Sequence, residues 1–167
     1  VDATAMTGAF SPDKEVQRNG KSALHVKPQS PDQWPWVSQR VAGLEPGAMY
    51  VLSVWHQGAT RVDTGKADES NTCAAVKLEF RDDAGKSLGA RVARQPLKMA
   101  MWQFLAAGGQ APPSTSQAVI SLRVMGDQEA WFDDVELTRT EEAPRLALTP
   151  ARLALNPGEA DSVHLQV

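Results

Sequence analysis

The residues best equipped for chemistry are tryptophans set among charged and amide side chains. In "MYVLSVWHQ", residues 49–57, strict alternation sends Tyr50, Leu52 and Val54 to one face and leaves Ser53, Trp55 and Gln57 on the other. In "AAVKLEFRD", Val76, Leu78 and Phe80 go inward, and Lys77, Glu79 and Arg81 go outward; in "QAVISLRV" the outward pair is Ser121 and Arg123. "SPDQWPWVSQR" adds Trp34 and Trp36 on either side of Pro35, and Trp36 shares its parity with Ser38 and Arg40. Proline stiffening lets an aromatic ring stand out from the surface at little entropic cost. A tryptophan beside carboxylate, guanidinium and amide groups suits a ligand with an apolar C–H face and a rim of hydroxyls, such as a pyranose. Trp55, Gln57, Lys77, Glu79 and Arg81 are therefore expected to form one binding platform, with Trp36 on the same face and Trp34 at its rim. Each has a plainer use as well. Trp55 could lie under a loop or the tail, the charged trio could simply solvate a strand, and Trp34 or Trp36 could plug the edge of a core.

Catalysis needs a constellation that is missing here. His25, His56 and His164 are scattered without metal-ligand spacing, and no G-x-S-x-G elbow, phosphate-cradling glycine loop or Cys–His signature occurs. Cys73 is the one cysteine, so it makes no internal disulfide and excludes a multi-cysteine metal site. Glu79 with Asp82 or Asp83 is the only pairing that resembles the two acids of a glycosidase, and acids are common at strand ends. The expectation is a protein without catalytic activity.

"EAWFDDVELTR", residues 129–139, places two acids inside a strand. Unbroken alternation puts Asp133 on the side of Val135 and Leu137, and Asp134 on the solvated side with Glu136. A carboxylate facing a core needs a cation, an arginine or lysine, or several N–H donors.

The elements that must position these residues read as strands near 23–27, 36–42, 49–56, 74–81, 87–93, 101–106, 117–124 and 130–138. Turn signals separate them: Asn19-Gly20, Pro46-Gly47, Asp83-Ala84-Gly85, Pro112-Pro113 and Gly126-Asp127. Helical periodicity is scarce. The fold class is therefore all-β, a two-sheet jelly-roll sandwich. The polar stretch 57–72 is long for a loop, which fits either a functional segment or a tolerated insertion. After "EEAP" the texture changes. Residues 1–142 read as the sandwich, and 143–167 as a linker plus the start of an incomplete immunoglobulin-like module, or else an extra hairpin on the main domain.

Composition narrows the partners. The 167 residues, 42% hydrophobic and 22% charged, describe an ordinary globular chain, and a net charge of −3 without a Lys/Arg run sets nucleic acid and anionic membranes aside. No apolar run is long enough to insert in a membrane, and no basic-then-apolar leader opens the chain. The numbering is expected to start after a removed leader or within a longer protein.

In order, "NGKSALHV", "VAGLEPGAMYVLSVW", "AAVKLEFRDDAGKSL", a central Trp102, "APPSTSQAVISLRV" and "AWFDDVEL" resemble the galactose-binding-like jelly-roll domains that include many carbohydrate-binding modules, over residues 8–139. The resemblance implies packing roles for Trp102 and Trp131. It also implies a structural calcium held by Asp133 with oxygens from the segment 13–22, especially Glu15, Asn19 and the backbone of Lys21. The alternatives are that Asp133 caps loop N–H groups without a metal, or pairs with an arginine. The resemblance implies a secreted or periplasmic module, free or attached to the cell surface. It would bind a polysaccharide or oligosaccharide and sit beside neighbouring domains of a larger polysaccharide-active protein. The rival reading is a β-sandwich spacer that docks a neighbouring domain and binds no glycan.

Overall fold

The computed structural model describes residues 3–5, 10–29, 34–59, 73–97, 101–126, 128–141, 147–149 and 164–166. Its strands are β1 (Ala3–Ala5), β2 (Phe10–Asp13), β3 (Ala23–Val26), β4 (Trp36–Ala42), β5 (Met49–Gly58) and β6 (Cys73–Arg81), then β7 (Ser87–Pro96), β8 (Gln103–Gln110), β9 (Gln117–Met125), β10 (Ala130–Thr140), β11 (Ala147–Thr149) and β12 (His164–Gln166). Two five-stranded antiparallel sheets, in the orders β1-β4-β9-β6-β7 and β2-β3-β10-β5-β8, stack into the expected sandwich. Among the described residues no helix is long and apolar enough to cross a membrane. The bulk of the 57–72 loop, residues 60–72, lies outside the described residues, as do 142–146 and 150–163 of the tail. Strands β11 and β12 pair with each other and join neither sheet.

Alternation builds the core as the sequence requires. From the first sheet Val76, Leu78 and Phe80 of β6 and Ala118, Leu122 and Val124 of β9 are buried; from the second come Tyr50, Leu52 and Val54 of β5, Leu105 of β8 and Phe132 of β10. The β6–β7 turn is closed by Asp82, whose Oδ1 accepts the Lys86 N–H at 2.8 Å, and by Gly85, which takes the left-handed φ of 80° that the turn needs.

Strand β10 departs from the expected parity. Asp133 pairs with Trp55 and Glu136 with Ser53, so Asp134 and Val135 together oppose Val54. This is a β-bulge, and Asp134 absorbs it with a φ of 50°. Phe132 and Leu137 consequently both face the core while Val135 is 40% exposed. Asp133 thus lies on the outer face opposite Trp55, not among apolar neighbours.

One polar side chain sits inside the sandwich. His56 is fully buried, its Nε2 bonds to Gln95 Oε1 at 3.1 Å, and its Nδ1 has no partner. The amide oxygen can only accept, so Nε2 carries the proton and Nδ1 is a bare lone pair. Burial pushes the His56 pKa below its ordinary 6.5, although the Gln95 bond works the other way. The unfolded chain therefore binds a proton here more readily than the folded one. The stabilisation is complete above pH 6.5 and is lost as pH falls from there towards the depressed folded value. The expected result is a melting temperature that declines between pH 6.5 and about 5, above the range where carboxylates titrate, and a His56→Leu variant whose melting temperature is flat across that window.

Candidate functional site

The outer face of the first sheet carries a groove of about 350 Å³, within the size range of small-ligand sites. Its residues stand in rows across β4, β9, β6 and β7 because the strands pair in register. Trp36, Arg123, Ala75 and Arg94 form the first row. Ser38, Ser121, Lys77 and Val92 form the second. Val119 and Glu79 continue the groove, and Arg81 closes it. Trp36 is half-buried and presents part of its ring, and Val92 is 52% exposed. Trp34 is 50% exposed just ahead of β4, while Pro35 between the two tryptophans is fully buried and its carbonyl accepts the Val124 N–H at 3.2 Å. The buried proline anchors this junction, so the ring of Trp36 is held by the sheet.

Glu79 organises the floor. It is only 6% exposed, pairs with the Lys77 ammonium, and accepts from Arg81 Nε at 3.2 Å. Burial pushes its carboxyl up, but hydrogen bonds from Lys77 and Ser87 and the charges of Lys77 and Arg81 together hold it below the usual carboxylate range. Glu79 is therefore an ionised acceptor at neutral pH. Arg94 and Arg123 have no ion-pair partner among the described residues.

Among the described residues the paired acids of a glycosidase do not converge around these groups. Asp82 and Asp83 lie in the β6–β7 turn and neither lines the groove, so Glu79 faces no second acid across it. Burial pushes the Cys73 thiol above its ordinary value against the charge of Arg94, which leaves little nucleophilic thiolate.

The expected platform is split between the two sheets. Lys77, Glu79, Arg81 and Trp36 share the groove, but Trp55 and Gln57 belong to β5 on the opposite sheet. Parity within a strand was read correctly; parity does not say which sheet a strand joins. Trp55 is partly buried, and among the described residues Arg18 and Phe104 pack on it. The Arg18 guanidinium sits 3.9 Å above its ring, and Phe104 meets it edge-on at 5.5 Å. Gln57 is buried, at 9% exposure. Neither belongs to the groove.

The residues assigned to calcium surround that same Arg18. Asp133 Oδ2 accepts the backbone N–H groups of Arg18 at 2.9 Å and Asn19 at 3.1 Å, and its Oδ1 accepts that of Asp134. Asp134, expected to be solvated, pairs with the Arg18 guanidinium and accepts Asn19 Nδ2 at 2.8 Å. The Glu15 N–H is turned to Asp13, and Lys21 is exposed. Among the described residues no three acidic, histidine or cysteine side chains converge as a cation would require. So arranged, the acids face N–H donors and a guanidinium, and the set does not fit a calcium ion. Nearby, Trp131 of the central β10 stacks on His25 at 4.7 Å and donates Nε1–H to Asp13 at 2.8 Å, a packing role across the face of the second sheet. That bond, with those from Val16 and Glu15, holds Asp13 below the usual carboxylate range.

Sequence reasoning missed Arg94 because it ended β7 at residue 93, and it missed Val92, inside that range, because the faces of this strand were not assigned. The alternation of "ARVARQP" continues to Pro96 and carries both onto the outer face.

No family profile matches the chain, and no curated protein matches its sequence. Solved structures do match its fold. The CBM22-1 xylan-binding domain of Paenibacillus barcinonensis Xyn10C superposes with a TM-score of 0.61 at 16% identity, covering 84% of this chain and 87% of that one. The carbohydrate-binding module TmCBM61, solved with β-1,4-galactotriose, gives 0.53 at 17% identity over 83% and 88%. In tailspike protein 4 of bacteriophage CBA120 the match, 0.62 at 16%, spans 83% of this chain but 19% of that one. The same fold occurs in the Stig cyclase Fisc of Fischerella sp., at 0.57 and 17% over 80% and 70%. At such identities the likeness establishes the sandwich, and function must be argued from the groove.

Proposed function

We propose that this chain is a non-catalytic glycan-binding module. It holds a polysaccharide or oligosaccharide along the outer face of the β1-β4-β9-β6-β7 sheet. The observation that carries the reading is the groove itself, in which a sheet-anchored Trp36 lies in register with Arg123 and Arg94, followed along the groove by a row with Ser38 and Ser121 and then by the ionised Glu79. The indole supplies a stacking surface for the C–H face of one sugar ring, and Val92 offers a separate apolar contact at the far side of the groove. Ser38, Ser121, Lys77 and Arg81 supply donors, and Glu79 an acceptor, for ring hydroxyls. Trp34 extends the contact at the end of the groove. A wet and open site of this kind suggests affinities of about micromolar strength. Such a module raises the local concentration of its ligand around an attached domain, which places it in a secreted or periplasmic protein acting on polysaccharide. The sandwich neighbours that bind xylan and galactotriose support this reading.

Docking to a neighbouring domain is a second role, favoured by the exposure of Met101 at 60% and Phe104 at 53% on the other sheet's edge. It uses a different face and does not compete with the groove.

Affinity electrophoresis against xylan, β-1,4-galactan and polygalacturonate tests the first role. A Ser121→Trp variant, which fills the middle of the groove, should abolish retardation on whichever polymer the native chain binds, while Trp55→Ala on the opposite sheet should leave it intact. Retardation lost with Trp55→Ala and kept with Ser121→Trp would move the site to the other face and sink the proposal.

A further inference from the structure

We infer that the groove selects acidic glycans, and that a uronate carboxylate or sulfate ester seats above Ala75 between Arg94 and Arg123. This deepens the glycan-binding reading and rests on it. The geometry follows from register alone. Ala75 of β6 is paired on one side with Arg94 of β7 and on the other with Arg123 of β9. Neighbouring strands are about 4.8 Å apart, so the two arginines rise from backbone positions on the order of 10 Å apart across the methyl group of an alanine. Ala75, itself 6% exposed, lines the groove between them and is the smallest side chain of the row. Trp36 continues the same row beyond Arg123, so a sugar ring on the indole directs its neighbour towards Ala75.

Charge balance separates these two arginines from the rest of the groove. Lys77 and Arg81 are both engaged by Glu79, the one acid in the lining. Arg94 and Arg123 have no such partner among the described residues, although the whole chain carries a net charge of −3. Two positive charges without a paired acid among the described residues thus flank Ala75 in one row. A neutral glycan leaves both guanidinium groups to water. An oxyanion between them accepts paired N–H bonds from planar forks, the geometry for which arginine is suited above lysine.

Other parts of the molecule point less clearly to a ligand. The Met101 and Phe104 surface shows nothing of what would cover it, and the buried His56 has no access to solvent. Among the described residues the Arg94–Ala75–Arg123 row combines two cations without an ion-pair partner, a small side chain between them and an aromatic ring in the same row.

The test is isothermal titration of the full chain with polygalacturonate, its methyl ester, a sulfated galactan, neutral galactan and a DNA duplex. The acid polymer should bind about tenfold or more tightly than its ester, and its affinity should fall steeply with added sodium chloride. In an Arg94→Gln/Arg123→Gln double variant the ratio of acid to ester affinity should fall to about unity, whereas Arg94→Lys should retain a good part of it. Preference for the sulfated galactan over polygalacturonate, abolished by the same double variant, would support the oxyanion seat and identify sulfate as its occupant. Equal binding of acid and ester would overturn the inference while leaving glycan binding in place, as would a preference that survives the double variant. DNA binding as tight as that of the acid polymer would show general polyanion attraction and overturn it too. Failure to bind any of the glycans would remove both this inference and the reading beneath it.

Discussion

Trp36→Ala is expected to weaken binding of the preferred glycan by about 30-fold or more, on the order of 2 kcal/mol or above, because a single aromatic anchor commonly dominates a small polar interface. Among the described residues lining the groove Trp36 is the one indole, and the exposed Val92 lies three strands and one row away from it. Pro35 and the register with Arg123 hold the ring in place, so little order has to be imposed on binding. Trp36 is only half-buried and the proline beside it remains. The variant should therefore fold with a melting temperature within a few degrees of the native chain. Trp36→Phe should recover most of the affinity. The measurement is titration calorimetry with melting curves on the same samples; native affinity in Trp36→Ala would remove the indole from the site.

Phe132→Ala should produce the largest loss of stability, about 3–5 kcal/mol, since a large buried aromatic leaves a cavity that its surroundings fill only in part. Phe132 is 1% exposed and sits in the central β10, paired with Leu24 on one side and His56 on the other. It is also the last core residue before the bulge, so its loss unpins the strand where regular pairing already fails. For a chain of this length the melting temperature should drop on the order of 10 °C or more. Val135→Ala, two residues beyond the bulge's first acid and 40% exposed, should change it by only a degree or two. A comparable drop in both variants would mean that β10 does not take the register described.

The eight strands expected from alternation all occur, with ends that differ by a few residues, since period-two patterning is a direct imprint of a half-buried sheet. The outward set Lys77, Glu79, Arg81, Ser121 and Arg123 was legible for the same reason, and Trp36 joined it through the parity of β4. Three things were not legible. Trp55 has the same outward parity, but strand order decides the sheet and leaves no mark in local sequence. The β10 bulge rests on an aspartate with positive φ, which unlike a glycine gives only a faint warning. Arg18 reaches Asp134 and Trp55 across 116 and 37 positions of chain, and neither contact follows from any periodicity. Asp133 answers its own question by accepting loop N–H groups, one of the alternatives that its position in the strand left open.

The guanidinium of Arg18, wedged between a tryptophan and an aspartate, is a counter-charge that the chain brings with it. Carboxylate-rich polymers draw hard divalent ions to themselves. If the groove takes an acidic glycan as proposed, a protein fastened by such an ion would contend with that glycan for the fastener. A covalently tethered cation cannot be leached away, so this clasp would stay shut on a surface stripped of exchangeable metal.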